Sequence, residues 1–335
     1  MFHKALDLWD ERRARRSDGS KKPSLPTVDL QLAFPEAGPA ADLEALAAHA
    51  VQAASDPSFF DLRPISRKDV RWSDGSISFP SSLDSDVAAN NTVHASVERA
   101  EGAKHALVVF HHWNADERSK RLARFFVRQG ITVAQMAMPY HMERKRPGAA
   151  NVDDILSPNL GRTLRSMRQA VLDGRALVRI LHDAGYERVS VLGMSLGSWV
   201  AGLVASHDRL VGCAGLFLSA GSLADMTWTG RATRHIRESL EGQVELDQLR
   251  RAWAPLDLER HAGKLARPDL TLQFVLAKRD TVVRPELSEG LVSAIEKAGG
   301  EPHVLRIDCG HYSLSLPPFI LWAGRSMAST LAGRP

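Results

Sequence analysis

Short, nearly continuous apolar runs alternate with helix-like stretches from residue 106 to the C-terminal part of the chain. Such runs are typical of parallel strands that are buried on both faces. Their alternation with helices implies crossover connections that place helices on both faces of one sheet. The strand-like runs are residues 106–110, 131–137, 188–192, 210–218, 270–277 and 304–307. The helix-like stretches are residues 120–129, 159–184, 196–206, 285–298 and 319–331. The pattern predicts the α/β class with a mostly parallel central sheet.

Two regions depart from this alternation. Residues 222–265 carry Trp228, Trp253 and many arginines and glutamates, but no strong strand. This composition predicts a small helical cap inserted into the domain. Earlier in the chain, residues 70–78 are split by an Asp-Gly turn and predict a hairpin, and residues 93–98 predict another strand.

Residues 1–60 are predicted to form an extension that precedes a domain of residues 61–335. Residues 17–40 are rich in Ser, Lys, Pro and Gly, and residues 41–54 are helix-like. Residues 1–16 predict a basic helix, which either packs on the domain's own surface or touches a membrane surface or a partner. Its apolar stripe consists of Phe2, Leu6 and Trp9. The role of the extension stays open between covering a sheet edge, forming the pocket mouth and mediating assembly.

The composition is that of a soluble globular protein. Apolar residues make up 44% of the chain and charged residues 24%, which excludes the disordered and collagen-like classes. The formal net charge is only +4 and the basic residues are scattered, so no nucleic-acid partner is predicted. There is no membrane-spanning run of roughly 20 apolar residues and no secretory signal, so a cytoplasmic location is expected. Cys213 and Cys309 show no C-x-x-C spacing and are expected to be reduced.

The sequence Gly-Met-Ser-Leu-Gly at residues 193–197 lies between a strand-like run and a helix-like stretch. A G-x-S-x-G motif in this context predicts a nucleophile elbow. The sharp turn strains the serine backbone, and glycines allow neighbouring chains to pass closely. The N-terminus of the following helix stabilises nearby negative charge. Ser195 is therefore the predicted nucleophile, and Met194 beside it is a candidate for substrate contact.

A serine nucleophile needs an adjacent base, which a carboxylate orients. Asp280 and His311 each lie just beyond one of the last two strand-like runs, in the chain order Ser, acid, His. Because the carboxyl ends of parallel strands meet at one edge of the sheet, both side chains are predicted to converge on Ser195. The rivals for these two roles are Asp225, Asp308 and His303.

Two backbone N–H groups are needed to stabilise an oxyanion. One is assigned to Leu196, the residue after the nucleophile. The other is expected in the loop after residues 106–110, where the N–H of Trp113 is the first candidate and that of His112 the second. The adjacent histidines also suggest a metal, but no histidine or acidic partner has convincing ligand spacing. Neither a metal nor a cofactor is predicted.

Residues 93–331 resemble the α/β-hydrolase superfamily. The serine elbow, the Asp280 turn and the Gly310-His311 turn match the motifs of that superfamily in order. The loop that starts at His111 resembles its His-Gly-X oxyanion turn, with His112 where glycine is usual. The resemblance implies the α/β-hydrolase fold and a catalytic triad of Ser195, Asp280 and His311.

The loop at residues 138–147, Met-Pro-Tyr-His-Met-Glu-Arg-Lys-Arg-Pro, supports a narrower resemblance. It is similar to a Pro-Tyr…Arg-x-Pro loop in bacterial hydrolases related to the α/β-hydrolase-domain-containing 18 group. Its strand ends at the same sheet edge as the triad, so Tyr140, His141 and Arg144 are candidates to line the pocket. The basic run 144–146 either attracts a substrate carboxylate or phosphate, or is a solvated loop that pairs with an acidic neighbour. The acidic neighbours considered are Asp153 and Asp154.

These residues predict a serine hydrolase that cleaves a carboxylic ester, or a related acyl bond, of a small molecule through an acyl-enzyme. Trp228 either lines an apolar acyl pocket or packs the cap on the domain. The alternatives are a thioesterase, an amidase or an acyltransferase on the same fold, or a non-catalytic binding protein. The sequence does not indicate the acyl chain length, the alcohol or the oligomeric state.

Overall fold

The structure, a computed structural model, describes residues 2–18, 21–38, 42–149 and 151–333. The described part contains one nine-stranded sheet with the strand order β1-β2-β3-β5-β4-β6-β7-β8-β9. The strands are β1 Arg71–Ser73, β2 Ser76–Pro80, β3 Thr92–Glu98, β4 His105–Phe110, β5 Thr132–Met136, β6 Arg188–Met194, β7 Val211–Phe217, β8 Thr271–Ala277 and β9 His303–Ile307. The strands β4 to β9 are parallel to their neighbours within this group. The strands β1, β2 and β3 join the sheet in antiparallel fashion. This confirms the mostly parallel sheet.

Helices connect and cover these strands. The α-helices of the described residues are α1 Phe2–Asp18, α2 Leu30–Ala33, α3 Leu43–Ser55, α4 Lys120–Val127, α5 Leu160–Asp183, α6 Leu196–His207, α7 Leu223–Thr229, α8 Arg234–Leu240, α9 Leu246–Ala252, α10 Ala262–Leu265, α11 Pro285–Lys297 and α12 Phe319–Leu331. Side-chain caps mark where several of them begin. Asp42, Ser119 and Asn159 each accept a hydrogen bond from the backbone N–H three residues later, at 2.7 to 3.2 Å.

The two faces of the sheet bury separate apolar clusters. In β4, Leu107 and Val109 point to the face covered by α4 and α12, whereas Val108 and Phe110 point to the face covered by α5, α6 and α11. This division follows from the alternation of side chains along a strand. It explains why β4 is apolar at nearly every position, as a strand between two helical layers requires.

The strand order reverses at β4. The chain passes from β4 through α4 to β5 on one side, and then returns through α5 to β6 on the other side of β4. The carboxyl ends of β4 and β6 therefore border the crevice at which open α/β sheets bind ligands. Phe110, the last residue of β4, pairs in register with Gly193, which lies two residues before Ser195.

The N-terminal helices pack on the rest of the molecule. Leu6 and Ala14 of α1 are buried, and Leu6 belongs to the same apolar cluster as α12. The side chain of Phe2, predicted to share a stripe with Leu6 and Trp9, lies outside the described residues. Helix α3 packs against α9, within the stretch between β7 and β8 that forms α7 to α10. One face of α1 is therefore covered by the domain itself.

Candidate active site

Ser195 lies at the sharp turn between β6 and α6. Its φ and ψ angles are 54° and −123°, a conformation that is strained for a residue with a side chain. A Cβ atom at Gly193 would collide with the backbone of Gly197, and one at Gly197 would collide with the carbonyl of Phe110. The elbow therefore depends on both glycines, because only they allow the strand and the helix to approach this closely.

His311 joins Asp280 to Ser195 through two hydrogen bonds. Its Nδ1 lies 2.7 Å from Oδ2 of Asp280, and its Nε2 lies 3.1 Å from Oγ of Ser195. The carboxylate can only accept, so Nδ1 carries the proton and Nε2 is free to accept from the serine hydroxyl. The side chains of His311 and Asp280 are 9% and 2% exposed. This arrangement can move a proton from Ser195 to the imidazole and stabilise the resulting imidazolium.

The Asp280 carboxylate is itself held in place by the backbone. Its Oδ1 accepts hydrogen bonds from the N–H groups of Val282 and Val283 at 2.7 and 2.8 Å. Its other oxygen, Oδ2, is thereby directed at His311. Asp280 follows β8 and His311 follows β9, so the ends of two neighbouring parallel strands supply the candidate acid and the candidate base.

The rival residues lie elsewhere. Asp225 on α7 accepts hydrogen bonds from Arg250 at 2.6 and 3.0 Å. Asp308 is half-exposed, with its Oδ1 3.9 Å from Nη1 of Arg279. His303 begins β9 and is exposed at the opposite end of that strand from His311.

The loop after β4 is anchored by two histidine rings. The N–H of Met138 donates to Nε2 of His111, and the N–H of Asn114 donates to Nε2 of His141, both at 3.1 Å. Their Nδ1–H groups in turn donate to the backbone carbonyls of His112 and Pro139. Such contacts require neutral rings. Burial lowers the pKa of His141 to about 4 and lowers that of His111 as well, so both rings can accept at neutral pH.

The predicted oxyanion donors lie on this loop and on the elbow. Leu196 is the first residue of α6, so its N–H has no acceptor within the helix. Trp113 is fixed by its ring, because its Nε1–H donates to the carbonyl of Val152 at 2.8 Å. The ring of His112 donates from Nδ1 to the carbonyl of Trp113. The backbone N–H groups of Leu196, Trp113 and His112 thus stay the candidates.

Solved structures with a similar fold include acetyl xylan esterase 1 from Thermoanaerobacterium sp. JW/SL YS485, with a TM-score of 0.60 and 16% identity over 95% of this chain and 98% of that one. The acetyl xylan esterase from Paenibacillus sp. R4 gives a TM-score of 0.59 and 14% identity over the same shares. The chain has the α/β-hydrolase fold. Identities this low establish the fold and leave the reaction open.

A puromycin-hydrolyzing peptidase of Mycobacterium tuberculosis also shares the α/β-hydrolase fold, with a TM-score of 0.54 and 19% identity. The similarity covers 73% of this chain but only 38% of the peptidase. No protein-family model matches the chain, and no curated protein matches it either. The narrower resemblance of the loop at residues 138–147 stays a prediction.

Arg144 does not present its charge to a pocket on this hydrolase fold. Its side chain is fully buried, and its Nη2 lies 2.8 Å from Oδ2 of Asp173, which is also fully buried. The guanidinium donates in addition to the backbone carbonyls of Asn90 and Ala137 at 2.8 to 3.1 Å. The structure therefore corrects the prediction of an anion-binding Arg144. The neighbouring Arg146 does pair with an acidic residue named from the sequence, Asp154, at 3.0 Å.

Tyr140 and His141 are buried with Arg144. Tyr140 is 3% exposed, and its N–H donates to Oδ1 of Asn90 at 3.0 Å. His141 is fully buried and holds the loop after β4, as described above. Because both side chains are buried, neither residue forms a wall that is open to substrate.

The two tryptophans of residues 222–265 differ in environment. Trp253 is 1% exposed, and its Nε1–H donates to the carbonyl of Leu160, so it packs the helices together. Trp228 is half-buried and lines a cleft with charged neighbours that include Arg231 and Arg237, and the lining of this cleft contains none of the triad candidates. Met194 is half-buried beside Ser195, the candidate nucleophile.

Sequence reasoning missed the acceptor roles of His111 and His141, although two histidine-containing turns after neighbouring strands were visible. It also missed His235 of α8, which stacks on Trp113 with ring centroids 6.0 Å apart and an interplanar angle of 15°.

No group of three or more metal-ligating side chains occurs among the described residues. Both cysteines are free and buried, and burial raises the pKa of each thiol to about 12. Among the described helices, none is long and apolar enough to cross a membrane.

Proposed function

We propose that this chain is a serine hydrolase of carboxylic esters, with Ser195 as nucleophile, His311 as base and Asp280 as acid. The observation that carries the proposal is the unbroken line of hydrogen bonds from Asp280 through His311 to Ser195 at a strained elbow. A strained serine conformation is costly, and such strain concentrates at functional sites. The same three side chains were expected from the sequence on independent grounds.

In the first step, His311 takes the proton of the Ser195 hydroxyl while Oγ attacks the ester carbonyl. The carbonyl oxygen becomes an oxyanion, which the N–H groups of Leu196 and of Trp113 or His112 stabilise at the N-terminus of α6. The tetrahedral intermediate then collapses, and His311 returns the proton to the departing alcohol. The product is an acyl-enzyme ester on Ser195.

In the second step, His311 takes a proton from water, and the resulting hydroxide attacks the acyl carbonyl. A second oxyanion forms in the same place, and its collapse releases the acid and returns the proton to Ser195. Asp280 keeps Nδ1 of His311 protonated throughout, so Nε2 always faces the reacting oxygen.

Residues 222–265 are proposed to act as a cap over this site, on a domain that begins near residue 61. The stack of His235 on Trp113 supports the cap, because it brings α8 against the loop that carries the oxyanion donors. The small cap and the full-length similarity to two acetyl xylan esterases make acetyl and other short acyl esters the first substrates to test.

The test is hydrolysis of p-nitrophenyl esters of increasing chain length by Ser195→Ala. This variant should lose about 10⁴-fold or more in kcat, because nucleophile and base act as a unit. Ser206→Ala on α6, the helix that follows Ser195, is the matched control, since the Ser206 Oγ donates to the carbonyl of Leu203. A fluorophosphonate should also label Ser195. Full activity of Ser195→Ala would refute the assignment, and an unlabelled Ser195 would favour a binding protein.

A further inference from the structure

Helix α1 contacts the loops that carry both partners of Ser195. Asp10 accepts hydrogen bonds on Oδ1 from the N–H groups of Tyr312 and Ser313, at 2.7 and 3.1 Å. These are the two residues that follow His311 in the chain. Asp7, one helical turn earlier, accepts a hydrogen bond from Nε of Arg279 at 3.0 Å. A single helix from the N-terminal extension therefore reaches both loops.

The contact of Asp10 with the His311 loop is tight. The N–H groups that Asp10 binds lie at the start of the 3₁₀ turn Ser313–Ser315, so the carboxylate caps that turn. A Cβ atom at Gly310 would lie 2.5 Å from Oδ2 of Asp10, so only glycine allows this approach. The N–H of Gly310 in turn donates to Oγ of Ser313 at 2.8 Å. The backbone is thus fixed immediately before and after His311.

The acid and base loops are also bonded to each other. The N–H of Arg279 donates to the carbonyl of Cys309 at 3.0 Å, and Arg279 directly precedes Asp280. A displacement of the loop around residue 310 would therefore move the base and disturb its bond to Asp280. Oδ2 of Asp10 is buried without a hydrogen-bond partner among the described residues, which is an unfavourable arrangement. The two charge-assisted hydrogen bonds that Oδ1 of Asp10 accepts offset this cost.

We propose that α1 is a positioning element of the active site, in which Asp10 holds the loop of His311 at hydrogen-bond distance from Ser195. The inference rests on the proposed function. Asp10 touches no reacting atom, so it acts through the backbone of residues 312 and 313. A misplacement of about 1 Å in a catalytic group costs on the order of 10²-fold in rate. Loss of Asp10 is therefore expected to lower kcat and to leave KM nearly unchanged.

The test compares Asp10→Ala, Asp10→Asn and Asp10→Glu with Arg12→Ala, an exposed substitution on the same helix. We expect Asp10→Ala to lower kcat by about 10²-fold without a matching change in KM. Asp10→Asn keeps an acceptor oxygen in place and should recover most of the loss. Asp10→Glu keeps the charge but shifts the acceptor by one methylene, so its kcat should also be lowered. This variant provides the test if Asp10→Ala fails to fold. Arg12→Ala should match the wild type.

Amide hydrogen exchange at residues 312 and 313 separates the possible outcomes. If Asp10→Ala and Asp10→Glu keep wild-type kcat, or exchange at these two amides is unchanged in them, the positioning role is refuted while the proposed function stands. If the wild type neither hydrolyses esters nor reacts with a fluorophosphonate, the proposed function itself is refuted. Faster exchange confined to this turn, together with a loss in kcat that Asp10→Asn restores, supports the inference.

Discussion

At the scale of single residues, two arginines of one loop have opposite environments. Arg144 is fully buried against Asp173, whereas the side chain of Arg146 is 38% exposed and pairs with Asp86 and Asp154. Desolvation by burial raises the pKa of the Asp173 carboxyl, because the charge of Arg144 and the hydrogen bonds from Arg144, Ser81 and Ser82 do not fully offset it. The main energetic consequence of this ion pair therefore appears when one partner is removed, because the other charge is then left buried without its counter-charge.

Arg144→Ala is expected to lower the free energy of unfolding by about 3 to 5 kcal/mol, because it leaves the Asp173 carboxylate buried and unpaired. Arg146→Ala, the matched control, should cost no more than about 1 kcal/mol, since its pairs are solvent-screened. Urea unfolding of both variants measures the difference. If Arg144→Ala proved as stable as Arg146→Ala but raised KM for anionic esters, the substrate-binding role would be restored.

Sequence position predicted that Ser195, Asp280 and His311 would come together, as they do, but it did not predict the burial of Arg144. Each of these three candidates lies within four residues of the carboxyl end of a strand, and parallel strands bring those ends to one edge of the sheet, so the local pattern was sufficient to predict that they meet. The environment of Arg144 depends on Asp173, which lies on α5 and reaches the same point only after the helix packs on the sheet. A charged run looks the same in sequence whether its members are solvated or paired inside the molecule.

At the scale of elements, α8 reaches across to the loop that follows β4. The ring of His235 stacks on the ring of Trp113. The ammonium of Lys21 lies 3.4 Å from the centroid of the Trp113 ring. Burial lowers the pKa of His235 to about 4, so its ring is neutral at pH 7 and packs as an aromatic surface. Helix α8 and Lys21 therefore both contact the residue whose N–H is a proposed oxyanion donor.

His235→Ala should lower kcat/KM for short esters by roughly 2- to 10-fold, the equivalent of one aromatic contact. His235→Phe retains the ring and should restore most of that loss. Arg234→Ala is the control on the same helix, because it removes only an exposed pair with Glu238. Equal activities of the Phe and Ala variants would show that the stack does not position Trp113.

Helix and strand identities followed from periodicity, but their docking did not. The six parallel strands coincide with the six apolar runs. Strands β4 to β8 are buried along almost their whole length and must therefore be apolar, whereas β9 is the partly exposed edge of the sheet. The place of β5 between β3 and β4, and the contact of Asp10 with the loop after β9, join segments far apart in the sequence. No local pattern encodes such contacts, because helix α1 would look the same wherever its polar face docked.

At the scale of the whole molecule, buried and half-buried neutral histidines tie stability to pH. Burial lowers the pKa of these rings to about 4, or to about 3 in one case, from an ordinary value of 6.5. The residues are His105, His141, His207 and His235. The unfolded chain takes up protons on these rings as the pH falls below about 6.5, whereas the folded chain does not until about pH 4.

The free energy of unfolding should therefore fall as the pH is lowered from about 6.5 to about 4, because stability rises with pH wherever the unfolded state binds more protons. Urea unfolding at pH 7.5, 6 and 5 measures this slope. His207→Gln removes the ring whose pKa is lowered to about 3 and should give a shallower slope than the wild type. A slope that is flat in the wild type, or equally steep in His207→Gln, would mean that the folded chain also protonates these rings near pH 6.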